Sequence, residues 1–236
     1  MPDIPRRSLA AGAGLLVGAM ALPGSAQQIP QIASAAGGPR FRVQPLTFNA
    51  ERIGGLSAKI ITSHHDNNYA GAVNKLNAIT EQLAKLDFAD TPAFTINGLK
   101  REESFAYNSM VLHELYFECL GEAPTQPSGV FAQAMARDFG TLDRWKAEFA
   151  ATGKALGGGS GWVILAYAPR DKRLFNYWSA DHGMAPAGAV PLLALDMYEH
   201  AYQMDYGADA AKYVDNFMQA IRWTTPERLY REAIRV

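Results

Sequence analysis

The chain has 236 residues, of which 48% are hydrophobic and 19% charged, so it has enough apolar content to build a core of its own. Its formal charges nearly cancel, at −1, so nucleic acid or an anionic membrane surface is not indicated as a main partner. A single cysteine, Cys119, excludes an intrachain disulfide, and its neighbours Leu115, Tyr116 and Phe117 mark it as a small buried hydrophobe.

Residues 1–26 read as a signal peptide. Arg6-Arg7-Ser8-Leu9 precede a mildly apolar stretch, and Gly24-Ser25-Ala26 supply small residues for cleavage. The paired arginines point to the twin-arginine export machinery, and so to a periplasmic or otherwise exported protein. The apolar stretch is too short, and too rich in Gly and Ala, to suit a membrane anchor, so none is expected in the mature chain. Residues 27–44, rich in Gln, Ala, Gly and Pro, read as a flexible tail.

Residues 45–122 form a helical region. Ser57 is placed to cap a long helix reaching to about residue 86, with Ile60, Ile61, His64, Val73, Leu76, Ile79 and Leu83 at helical spacing. After Thr91-Pro92 a second helix is predicted over about 100–120, closed by Gly121, which makes an antiparallel hairpin. Residues 123–236 are mixed. Helices are predicted over 131–136 and 142–155, and then a glycine-rich break at 157–161. Strands follow over 162–168 and 174–179, joined by the turn Pro169-Arg170-Asp171-Lys172, with a third strand over 191–196. Helices over about 211–223 and 226–235 complete an α+β chain: a hairpin of long helices, then a C-terminal α/β region with a small three-stranded antiparallel sheet.

The segment Asp196-Met197-Tyr198-Glu199-His200-Ala201-Tyr202 sets a carboxylate at the end of a buried strand and an imidazole four residues later. Oxygen and nitrogen donors this close suit a first-row metal such as iron or manganese. Three other histidines lie on predicted helices: His64 and His65 on the first, and His113 on the second. Adjacent helical side chains diverge, so His64 and His65 are not expected to face one metal together. A zinc-protease H-E-x-x-H is excluded at His113-Glu114, because Phe117 stands at the second histidine's place.

The same segment resembles the D-x-W-E-H-A-Y signature of the iron/manganese superoxide dismutases, with Tyr198 in place of the Trp. The resemblance extends to Val73-Asn74-Lys75-Leu76-Asn77 in the first helix and to the block from His113 to Leu120. It also takes in Gly159-Ser160-Gly161-Trp162. It implies a superoxide dismutase, producing dioxygen and hydrogen peroxide from superoxide, with one Fe or Mn ion per subunit held by His64, His113, Asp196 and His200. Iron is the weakly preferred metal. It further implies that His182 hydrogen-bonds the solvent on the metal, the family's alternative Gln position being occupied by Ser109. It implies a homodimer in which Glu199 reaches the partner's ligand histidine, while dimer and tetramer both stay open.

At the substrate gate the chain departs from that pattern. Asn68 and Ala72 stand where the family has His and Tyr, Gln203 replaces a Tyr at the interface, and Ala210 replaces an Arg. Asn68 and Gln203 are able to pair across the interface, each offering a donor and an acceptor. Tyr69 is the candidate to fill the gate, and Lys212 or Lys59 to supply positive charge for the anion. These changes motivate an alternative: an exported metal-binding dimer of the same fold with weak or no dismutase activity.

Overall fold

Ser57 does cap the first helix, its Oγ accepting from Ile60 N at 3.2 Å. The computed structural model describes residues 40–235, so the signal-peptide reading of 1–26 and residues 27–39 of the expected tail lie outside the described residues. The end of that tail is not loose. Phe41 exchanges main-chain hydrogen bonds with the Asn77 side chain, and Gln44 N donates to the Tyr69 hydroxyl at 2.9 Å.

The predicted first helix is a continuous rod of three parts: α1 (Ala58–Ser63), a π-helical segment (His64–Tyr69) and α2 (Ala70–Leu83). Ile60, Ile61, Val73, Leu76 and Ile79 are buried along it. Sequence periodicity did not foresee the π segment, in which Ala70 N reaches back to His65 O. Such segments are often found at functional sites, and this one begins at His64. The second helix, α3 (Ala93–Glu118), starts well before residue 100. Pro92 sets its entry, and its first turns carry polar residues and an exposed Phe94, so they show no apolar stripe to read.

The C-terminal elements follow the predicted order: α4 (Gly129–Phe139), α5 (Leu142–Ala155), β1 (Trp162–Ala168), β2 (Arg173–Ser179) and β3 (Val190–Asp196). Then come two elements with no sequence signal, a 3-10 turn (Glu199–Ala201) and the short α6 (Gln203–Tyr206), before α7 (Ala210–Ala220) and α8 (Thr224–Ala233). The antiparallel sheet has the order β2-β1-β3. Central β1 is apolar on both faces and almost wholly buried, as a strand covered on both sides must be.

Register places the site. Trp162, the first residue of β1, lies between Ser179 of β2 and Asp196 of β3. Gly161, just before it, holds φ at 127° and accepts from Met197 N at 2.9 Å. A Cβ at Gly161 would strike the main-chain oxygen of Ser179, so only glycine allows the strand ends this close. One cluster of buried side chains runs from Ile60 and Leu76 in the helical rod to Trp145, Leu165 and Leu193 around the sheet.

Candidate metal centre

Four side chains converge where α3 crosses the end of β3. His64 opens the π-helical segment, His113 lies within α3, Asp196 ends β3, and His200 sits in the 3-10 turn after it. The Asp196 Oδ2 atom lies 3.0 Å from His64 Nε2, 3.2 Å from His200 Nε2 and 3.6 Å from His113 Nε2. One donor atom from each residue lies within 4.8 Å of the other three. His64, His113 and Asp196 are buried, and His200 is half-buried.

Neighbouring groups aim these donors. His113 Nδ1 donates to Ser109 O at 2.6 Å, leaving Nε2 with its lone pair toward the cluster. Asp196 Oδ1 accepts from Tyr198 N at 2.8 Å, and its main-chain oxygen accepts from the Tyr213 hydroxyl of α7 at 2.8 Å. Outer hydrogen bonds of this kind orient metal ligands.

The protonation states suit a cation. Burial pushes His113 down to about 3 and lowers His64 as well. Burial alone would raise Asp196, but hydrogen bonds from His200 and His64 hold its carboxyl far below the usual range. Neutral imidazoles at His64 and His113 beside an ionised carboxylate are what metal binding requires. His113 Nε2 is buried without any hydrogen-bond partner, a costly orphan that a bound cation would satisfy. Three nitrogens and one oxygen fit iron or manganese.

Beside the cluster lies His182, its ring centroid 6.0 Å from that of His113. Its Nδ1 accepts from Trp162 Nε1 at 2.9 Å, and its ring stacks on Tyr198 with centroids 4.7 Å apart. Burial lowers its pKa to about 4, so the ring is neutral at physiological pH. With Nδ1 accepting, the ring proton is on Nε2. His182 and His200 line a cavity of about 210 Å³ together with Asn68, Ala72, Lys75 and Ser109.

Residues 127–229 match the model of a family described as iron/manganese superoxide dismutases, C-terminal domain. The "Superoxide dismutase [Fe]" of Cupriavidus metallidurans is 56% identical over 195 residues, which is 83% of this chain and 98% of the relative. The chain belongs to the iron/manganese superoxide dismutase family. Among further members, "Superoxide dismutase [Mn] 1" of Halobacterium salinarum is 32% identical over 82% of this chain and 96% of its own length. "Superoxide dismutase [Fe]" of Pyrobaculum aerophilum is 32% identical over 83% of this chain and 94% of its own.

Tyr69 does not fill the gate of this family member. It stands one position past Asn68 and so projects elsewhere. Its hydroxyl donates to Glu114 Oε1 at 2.9 Å while accepting from Gln44 N, and it lines a separate cavity of about 220 Å³ with His65 and Phe117. His65 is turned the same way, its Nε2 bonded to Gln44 O at 2.8 Å. Asn68 is half-buried at the cavity, while Glu199 and Gln203 are exposed.

The roles of three residues were not legible in the sequence. Tyr213 holds Asp196, and Trp162 sets the tautomer of His182. The cavity's lysine is Lys75, and neither Lys59 nor Lys212 lines it. Lys75 alone carries a partial signal, since it follows Asn68 by seven positions and therefore shares its helical stripe.

Proposed function

We propose that the protein is a superoxide dismutase, turning two superoxide anions and two protons into dioxygen and hydrogen peroxide at a mononuclear centre. The observation that carries this is the convergence of His64, His113, Asp196 and His200 around one point, with His113 Nε2 left without any other partner. These four residues would hold one Fe or Mn ion per subunit. The choice of iron is supported by the 56% identity to a relative named for iron, against 32% to one named for manganese. The ion, when bound, supplies one-electron redox chemistry at a potential between the two superoxide half-reactions.

The chain's own part is to admit a small anion, exclude other donors and deliver protons. His182 lines the cavity while Trp162 keeps Nδ1 occupied, so its ring proton is held on Nε2 and the ring is a fixed donor and not a rotating one. Tyr198 stacks on both His182 and His200, its ring centroid 4.7 Å from the first and 5.4 Å from the second. The exposed Glu199, next to His200, supports a homodimer in which it meets the partner's ligand histidine, with Asn68 and Gln203 at the same interface. Arg6-Arg7 and the apolar residues after them support export to the periplasm by the twin-arginine route, followed by removal of residues 1–26.

Ala72 favours a second reading, a metal-binding dimer with weak turnover, because a methyl group leaves the cavity open beside His200. One experiment separates the two: metal content and superoxide turnover measured on the same purified sample lacking residues 1–26. Near-stoichiometric iron or manganese with fast turnover establishes the enzyme. Full metal with turnover no better than the free ion establishes the second reading, and a protein that takes up neither metal overturns both.

A further inference from the structure

Among the described residues, one lysine and no arginine line the cavity over the metal centre. Asn68, Ala72 and Lys75 are spaced by four and three residues, so they form one stripe along the helical rod, from the edge of the cluster outward. Ala72 contributes only a methyl group, and Lys75 shares the lining of the cavity with the imidazoles of His182 and His200. Lys75 Nζ is about half-exposed and forms an ion pair with Glu102 Oε2, projected from α3 on the other side of the hairpin. Its charge reaches His182, where it is among the influences disfavouring protonation. Glu102 in turn is held ionised, its carboxyl lowered by its hydrogen bond with Lys75.

The rest of the molecule does little to attract an anion. Its net charge is −1, so any attraction to the centre must be local. We propose that Lys75 is the cation that steers the anionic substrate into the cavity, and that Glu102, by pairing with it, sets how much of that charge the substrate meets. Lys75 is thus a steering residue for the reaction proposed above, on which this inference rests. It touches no reacting atom.

An ordinary surface tie between α2 and α3 would look the same in the structure, but it behaves differently when altered. An exposed pair contributes little to stability, so removing either charge leaves the fold standing. As a mere tie, Lys75→Gln and Glu102→Gln would have equal effects. As a steering device they have opposite ones, because one removes the attraction and the other releases it. A single partly neutralised charge is expected to be worth about threefold in encounter rate, less than the roughly tenfold or more that a whole charged cleft supplies.

The test uses the metal-loaded protein without residues 1–26 and reads two quantities: kcat/KM for superoxide as ionic strength is raised, and the dissociation constant of azide from an optical titration. Lys75→Gln is expected to lower kcat/KM about threefold at low salt, flatten its salt dependence and weaken azide by a similar factor. Glu102→Gln is expected to raise kcat/KM, steepen the salt dependence and tighten azide, and Lys75→Arg to preserve all three. Unchanged salt dependence and azide affinity in both glutamine variants would overturn the proposal, as would a loss in both. If the wild-type protein binds metal but has no turnover, the dismutase reading fails separately. The azide constants of the two variants then decide the role of Lys75 by themselves.

Discussion

Buried neutral histidines make the metal-free protein acid-labile, and His113 allows the size of the effect to be worked out. Its pKa falls from an ordinary 6.5 to about 3 in the folded chain, because burial penalises the imidazolium. Between those two values the unfolded chain takes up a proton there and the folded chain does not. Stability therefore falls as pH falls through that window. Each pH unit costs about 1.4 kcal/mol per such group, so acidification from about pH 7.5 to about pH 4.5 removes about 3 kcal/mol through His113 alone. His182, lowered to about 4, pushes the same way over most of that range. Losses of this size are a large part of the roughly 5–15 kcal/mol that holds a typical domain together. The assay is urea unfolding of the metal-free protein at both pH values, with His113→Gln alongside. The wild type should lose about 3 kcal/mol more than the variant on acidification, since the variant has no proton to gain there. Equal losses, or a wild type that gains stability in acid, would refute the reasoning. Adding metal should shift the transition to lower pH, because a ligated imidazole must shed its proton.

Two substitutions test the supports of the site. Trp162→Phe removes the donor to His182 Nδ1, so the His182 ring loses its fixed tautomer and an acceptor is left unpaired. The expected cost is about 1–3 kcal/mol of stability, with a change in the pH profile of turnover, and an unaltered profile would show that Trp162 only packs. Tyr69→Phe deletes a hydroxyl shared between Gln44 N and Glu114 Oε1. It should cost about 1–2 kcal/mol in thermal or urea unfolding and leave superoxide turnover nearly unchanged, whereas a large fall in turnover at unchanged stability would return Tyr69 to the gate.

Local chemistry made most of the architecture legible in advance. Ser57 announced the first helix through its cap, and the apolar positions from Ile60 to Ile79 announced its buried face. The alternation and turn residues of 162–179 gave two strands whose ends the structure moves by only a residue. Residues of this kind act on neighbours in sequence, so their signal survives without knowledge of the fold. The start of α3 was not legible, because its first turns face solvent and carry no stripe. The π segment was hidden for a different reason: its hydrogen-bond shift leaves the residue types unchanged.

The candidate site divides in the same way. His64, His113, Asp196 and His200 were named from spacing and family resemblance, and the fold brings all four donor atoms together. What each side chain faces is a property of packing between distant segments. Only the tertiary structure turned Tyr69 toward Glu114, set Trp162 against His182, hung Asp196 from Tyr213 and brought Lys75, not Lys59 or Lys212, to the cavity. Sequence by itself determined which donors were present and on which elements. Direction and partnership came from contacts between elements far apart in the chain, which no local pattern encodes.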